Sequence, residues 1–87
     1  MDHVSTQKRL EEINRELEQL RTEQASLREQ WNTEKLLIQN IRNLKSELEQ
    51  LKQQAAEAER NGYYAQVAEI RYGKIPETQV RLDQANE

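Results

Sequence analysis

The sequence predicts an all-α protein, an antiparallel coiled coil. One long helix, about residues 5–60, is followed by two short helices, about 63–74 and 76–86, that fold back on its C-terminal half. Three observations predict this. Apolar residues recur at steps of three and four, the helical period. Residues 1–61 hold neither of the two glycines nor the single proline, so nothing there strongly breaks a helix. The composition is 34% apolar and 33% charged with no Phe and one Trp, and the mean hydropathy is −1.14. Such a chain fills the narrow stripe of a coiled coil but not a globular core. Disorder is the competing reading of this polarity, and the regular spacing argues against it. With 87 residues the chain holds one domain at most.

The long helix starts at Ser5, an N-cap candidate whose capping box is incomplete because Lys8 stands where an acid belongs. Leu10, Ile13, Leu17, Leu20, Leu27 and Trp31 then form a seam with heptad spacing. With Leu10 at a, the a positions continue as Leu17, Gln24, Trp31 and Ile38, and the d positions are Ile13, Leu20, Leu27, Glu34 and Ile41. Further on the phase shifts, and the seam becomes Ile41, Leu44, Leu48, Leu51, Ala55 and Ala58. The consecutive steps of three, Ile38-Ile41-Leu44, are a stammer, which rotates the stripe around the helix. Either one coiled coil is locally overwound, or the two halves face different partners. Glu11–Arg15, Glu18–Arg21 and Lys45–Glu49 are candidate surface pairs, each contributing only a few tenths of a kcal/mol.

Asn61-Gly62 ends the long helix, since glycine adopts the left-handed conformation of a C-terminal cap. Tyr63, Tyr64, Val67, Ala68, Ile70, Tyr72 and Ile75 follow at helical spacing. Gly73 loosens this second helix, and Pro76 disfavours helix at Ile75 while suiting the first turn of a new one. The tail, with Val80 and Leu82, reads as a third short helix or a kinked continuation. At about 1.5 Å per residue, the long helix spans roughly 84 Å and the returning chain roughly 39 Å. The return therefore covers about residues 36–60, and the seam from Leu10 to Trp31 is left without a partner in this chain. An open apolar seam implies another helix or self-association, antiparallel or end to end.

Catalytic chemistry is not visible. Gly73-Lys74 lacks the upstream glycine and following hydroxyl of a phosphate-binding loop. The single histidine, His3, stands near a terminus, and the carboxylates are spread along a solvated face. The chain is expected to be non-enzymatic, with no cofactor and no metal. The net charge of −3, with both signs interspersed, gives no nucleic-acid footprint and no basic amphipathic membrane face. Absence of cysteine fits a reducing compartment, and the expected location is the cytoplasm. No signal-peptide h-region or membrane-length apolar run is present. The aromatics are the remaining signal. Trp31 reads as a packed seam residue. One of Tyr64 and Tyr72 is expected to pack against Leu48, Leu51 or Ala55, because the alanines leave room for a ring. Tyr72 is also a candidate partner contact.

Two stretches are specific: Glu29-Gln30-Trp31-Asn32-Thr33-Glu34-Lys35, and Ala68-Glu69-Ile70-Arg71-Tyr72-Gly73-Lys74-Ile75-Pro76-Glu77. Together they resemble the middle domain of the ClpB family of ring-forming AAA+ disaggregases, with Ile70 for the usual Leu. The likeness runs over nearly the whole chain. In that family the middle domain has four helices and forms a two-bladed propeller outside the ring, its first helix pairing with the front half of the long second one. The resemblance implies that this chain lacks the first helix, which would be the partner of the open seam. It also implies that the blade closed by the short helices docks a DnaK-type chaperone and controls ATPase activity, contacting neighbouring middle domains and the ATPase domain in the parent hexamer. The residues it points to for docking and regulation are Tyr72, Arg71, Glu69, Gly62 and Tyr63. Two departures stand out: Gly62 is followed by Tyr63 rather than Asp, which alters the partner-facing tip, and Thr78 replaces a Leu, which is expected to weaken packing of the last helix. The alternative function is a free-standing structural coiled coil, a spacer or dimeriser.

Overall fold

A computed structural model describes residues 3–87; Met1 and Asp2 lie outside the described residues. Helix α1 runs His3–Arg60, α2 runs Tyr64–Glu69, a π-helical segment covers Ile70–Lys74, and α3 runs Ile75–Ala85. The described residues form no strand, and the protein is an all-α coiled-coil hairpin. The chain divides after Glu34 into two units, and the second is Lys35–Glu87.

The 58 residues of α1 are mostly Glu, Gln, Leu, Arg, Lys and Ala, all good helix formers. Ser5 does not cap it: the helix already includes His3, so Ser5 lies in its first turns. No residue in this stretch forces a start at Ser5, and local propensity carries the helix past it. Thr22 and Thr33 are accommodated by donating their hydroxyls to the Glu18 and Glu29 carbonyls, each at 2.9 Å. Of the expected surface pairs, Lys45–Glu49 is replaced by Lys52–Glu49 at 3.6 Å. Glu preceding Lys is the better orientation on a helix, which favours this exchange. Among the described residues, Glu11–Arg15 and Glu18–Arg21 do not close to ion-pair distance.

The helix ends in a Schellman turn. Gly62 has φ +79°, the only positive φ among the described residues. The Tyr63 amide donates to the Ala58 carbonyl at 2.9 Å, and the Gly62 amide to the Glu59 carbonyl at 3.1 Å. These two bonds satisfy carbonyls that a helix end leaves open.

The second unit closes on itself. Leu44 and Leu48 of α1 pack with Leu82 of α3, flanked by Ile41, Ile75 and Ala85. Leu51 and Ala55 pack with Ile70, again flanked by Ile75. The small Ala55, 1% exposed, faces an isoleucine and not a tyrosine ring. Tyr64 and Tyr72 are both exposed, so the expectation that one of them packs against the long helix is corrected: Val67 and Ile70 take the inward positions. The tail divides likewise, with Leu82 buried and Val80 exposed. Thr78 is among the most buried side chains, at 1%. It stands where the resembling family has a leucine, and its hydroxyl oxygen accepts from Arg81 at 3.4 Å.

Pro76 does not break the returning chain. Glu69, Lys74 and Ile75 all hold right-handed helical angles, and the path from Tyr64 to Ala85 has no loop. The Ile75 amide donates to the Ile70 carbonyl, five residues back instead of four. This π turn sets Pro76 in the first turn of α3, where its missing N–H matters least. It also absorbs a residue. The inward positions run Val67, Ile70, Ile75, Thr78, Leu82, with one step of five at the π segment. In a regular α-helix Lys74 would face α1 in place of Ile75.

Candidate functional site

Two surfaces carry exposed apolar or aromatic groups in excess of what the fold uses. The first lies at the turn end of the hairpin. The positive φ of Gly62 directs the chain back, and Tyr63 follows with its side chain 61% exposed. Tyr63 lines a shallow groove with Gln54, Glu57, Ala58, Asn61 and Gln66. Tyr64 is 70% exposed and Tyr72 83%. Because Val67 and Ile70 hold the packed face, these rings project without any part in the core. Exposed tyrosines offer an apolar face and a polar tip at small rotamer cost, the chemistry of a protein-docking surface.

Glu69 is exposed on the same segment. Arg71 also bonds within the chain. Its Nη2 donates to Oε2 of Glu59 at 2.7 Å, linking the π segment to α1. Both side chains are half exposed, so the link aligns more than it stabilises. A second tie, Arg81 to Glu47 at 3.7 Å, holds α3 in the same way. Gly73 belongs to this surface too. A methyl group at its Cα would meet nothing within 4 Å, and its backbone is helical, so nothing within the chain requires glycine there. The bare backbone beside Tyr72 allows close approach from outside. Sequence reasoning missed this arrangement of Gly73 and the π turn; the five-residue step from Ile70 to Ile75 is the signal that could have found it.

The second surface is the seam of the N-terminal unit. Leu10, Ile13, Leu17, Leu20, Leu27 and Trp31 are each 45–65% exposed. Trp31 is thus exposed at 61%, not a packed core residue, because no helix lies against this stripe among the described residues. No group of His, Cys, Asp or Glu among the described residues could hold a metal ion, and no helix there is long and apolar enough to cross a membrane.

Comparison with known proteins gives a consistent family of relatives. The chain is 48% identical over 86 residues to a probable chaperone protein ClpB 1 of Chlorobaculum tepidum, covering 99% of this chain and 20% of that protein. It is 40% identical over 84 residues to the chaperone protein ClpB of Corynebacterium efficiens, covering 97% and 10%. It is 45% identical over 71 residues to the chaperone protein ClpB of Porphyromonas gingivalis, covering 82% and 8%. The chain therefore spans a fifth or less of the length of these relatives. No protein-family model and no solved structure matches it.

Proposed function

The chain belongs to the ClpB family, as a segment of the longer chaperone, and on that premise we propose that it is a regulatory and partner-docking coiled-coil module. In this reading it couples a DnaK-type chaperone to ATPase control in the parent protein, and so to the rescue of aggregated protein. The observation that carries the reading is the outward set of Tyr63, Tyr64 and Tyr72 on a hairpin whose core makes no use of them. A spacer needs no such rings, whereas their apolar faces and polar tips suit a partner surface. Arg71 acts as a positioning residue: its bond to Glu59 fixes the π segment and with it the direction of Tyr72. Glu69 and Gly73 supply the polar rim and the open backbone beside the ring. Gly62 shapes the tip that presents Tyr63.

NMR titration of the chain with the nucleotide-binding domain of a DnaK-type chaperone tests this directly. Shifts confined to about Ala55–Ile75 are expected. Unchanged spectra at millimolar partner would contradict the reading. The exposed seam supports a second reading, a dimeriser or spacer, in which the tyrosine face stays unaltered by any chaperone and association proceeds through Leu10–Trp31 alone.

A further inference from the structure

We propose that the returning helix carries one residue more than its packing needs, and that the π turn absorbing it is a positioning element that aims Tyr72 at the docking partner. The proposal rests on the docking reading given above and supplies the part that sets the ring's direction. The inward residues Val67, Ile70, Ile75, Thr78, Leu82 and Ala85 stand three, five, three, four and three residues apart. Taking one residue out of Arg71–Lys74 turns these steps into three, four, three, four and three, an unbroken heptad. Five residues close one π turn and about four close one α turn, so Ile70 and Ile75 stand one above the other in both. Every inward side chain would therefore keep its place against Leu44, Leu48, Leu51 and Ala55. The core of the hairpin is satisfied by a plain α-helix here, and the extra residue serves something else.

The segment weakens the helix in ways that packing within the chain does not offset. Gly73 has a helical backbone with nothing within 4 Å of an added Cβ, and glycine inside a helix destabilises it. The Ile75 amide is drawn to the Ile70 carbonyl, and Pro76 has no amide. Neither of the two amides that a helix could bring to the Arg71 carbonyl therefore reaches it. Arg71, Tyr72, Gly73 and Lys74 are all exposed. What the π turn changes is this outer arc, which holds four residues where an α turn would hold three. Each step along it rotates by less, so Tyr72 swings by roughly 35° from its α-helical direction, towards the flank of Arg71. On that flank Arg71 is already fixed to Glu59. The open Arg71 carbonyl, the Tyr72 ring and the bare Gly73 backbone are consecutive along the arc. A partner can pack on the ring and donate to the carbonyl together.

Single-residue deletions test both halves of the proposal. Deleting Gly73 closes the five-residue step and removes a helical glycine, so the melting midpoint of the dilute chain should rise by about 4–8 °C. Deleting Gln79, in the regular part of α3, displaces Leu82 and Ala85 from α1 and should lower the midpoint. A midpoint below that of the unaltered chain after loss of Gly73 would show that the fold needs the extra residue, and would overturn the proposal. Docking is read by NMR titration with the nucleotide-binding domain of a DnaK-type chaperone. Deletion of Lys74 closes the same step but keeps Tyr72 and Gly73, and it should weaken binding roughly tenfold. Lys74→Ala keeps the five-residue step and should bind within about twofold of the unaltered chain. Methyl contacts of Val67, Ile70 and Leu82 with α1 should persist in both variants. Undiminished binding after deletion of Lys74, or an equal loss in Lys74→Ala, would overturn the role of the turn while the docking reading stands. No binding by the unaltered chain would overturn the docking reading and this role with it.

Discussion

At Gly62 and Gly73 the same residue type is held for opposite reasons. Gly62 has φ +79°, where a side chain is strained whatever room surrounds it. Gly62→Ala should lower hairpin stability by about 1–2 kcal/mol, read by thermal melting of the dilute chain. Gly73 is helical with open space at its Cα, so Gly73→Ala should raise stability by about 0.5–1 kcal/mol in the same melts. If both glycines served only to turn the chain, the two substitutions would shift stability in the same direction. Tyr72 separates docking from folding in the same way. At 83% exposure, Tyr72→Ala should change stability by no more than about 0.5 kcal/mol. It should nevertheless weaken the chaperone-induced NMR shifts. The Arg71–Glu59 bond is short but half solvated, and Arg71→Ala should cost less than about 1 kcal/mol.

At the scale of elements, the hairpin is held by a thin core: Leu44, Leu48, Leu51, Ala55, Ala58, Val67, Ile70, Thr78 and Leu82. A core of this size rarely supplies more than about 3–5 kcal/mol. Truncating one well-buried isoleucine costs about 2–5 kcal/mol. Ile70→Ala, which truncates the largest of the fully buried aliphatic side chains, should therefore abolish most of the cooperative melt, whereas Val80→Ala on the outer face of α3 should leave it within about 0.5 kcal/mol. The inner face of α1 was legible in the sequence, because Leu44, Leu48, Leu51, Ala55 and Ala58 stand at heptad spacing with no competing stripe. The turn was legible because Gly62 is the only residue there that reaches a positive φ without strain. The returning face was read less well. Tyr64 and Tyr72 suggested packing because rings have large apolar area, but Val67 and Ile70 occupy the inward register. Pro76 signalled a break, yet a π turn just upstream supplied a helical path that spacing rules of three and four do not contain. Thr78, expected to weaken packing of the last helix, is nevertheless buried, with its hydroxyl served by Arg81.

At the scale of the whole molecule, the two units differ in what each can do alone. The unit Lys35–Glu87 buries its own stripe and ties its returning helix with Arg71–Glu59 and Arg81–Glu47. The other unit has helix propensity and surface charge, but every described side chain in it is exposed. A helix without a packed face is marginal in water, and most helical stability in proteins comes from tertiary burial. The phase shift after Ile38 lies near this division in the sequence, and Trp31, expected to be packed, is 61% exposed. The central claim is thus that one unit is closed and the other awaits a helix. Amide hydrogen exchange of the chain at low micromolar concentration tests it most directly. Slow exchange is predicted for the α1 amides around Leu44–Ala58 and for the returning segment around Ile70–Leu82, with rapid exchange from Leu10 to Trp31. Equal protection of the two units in the dilute monomer would contradict it.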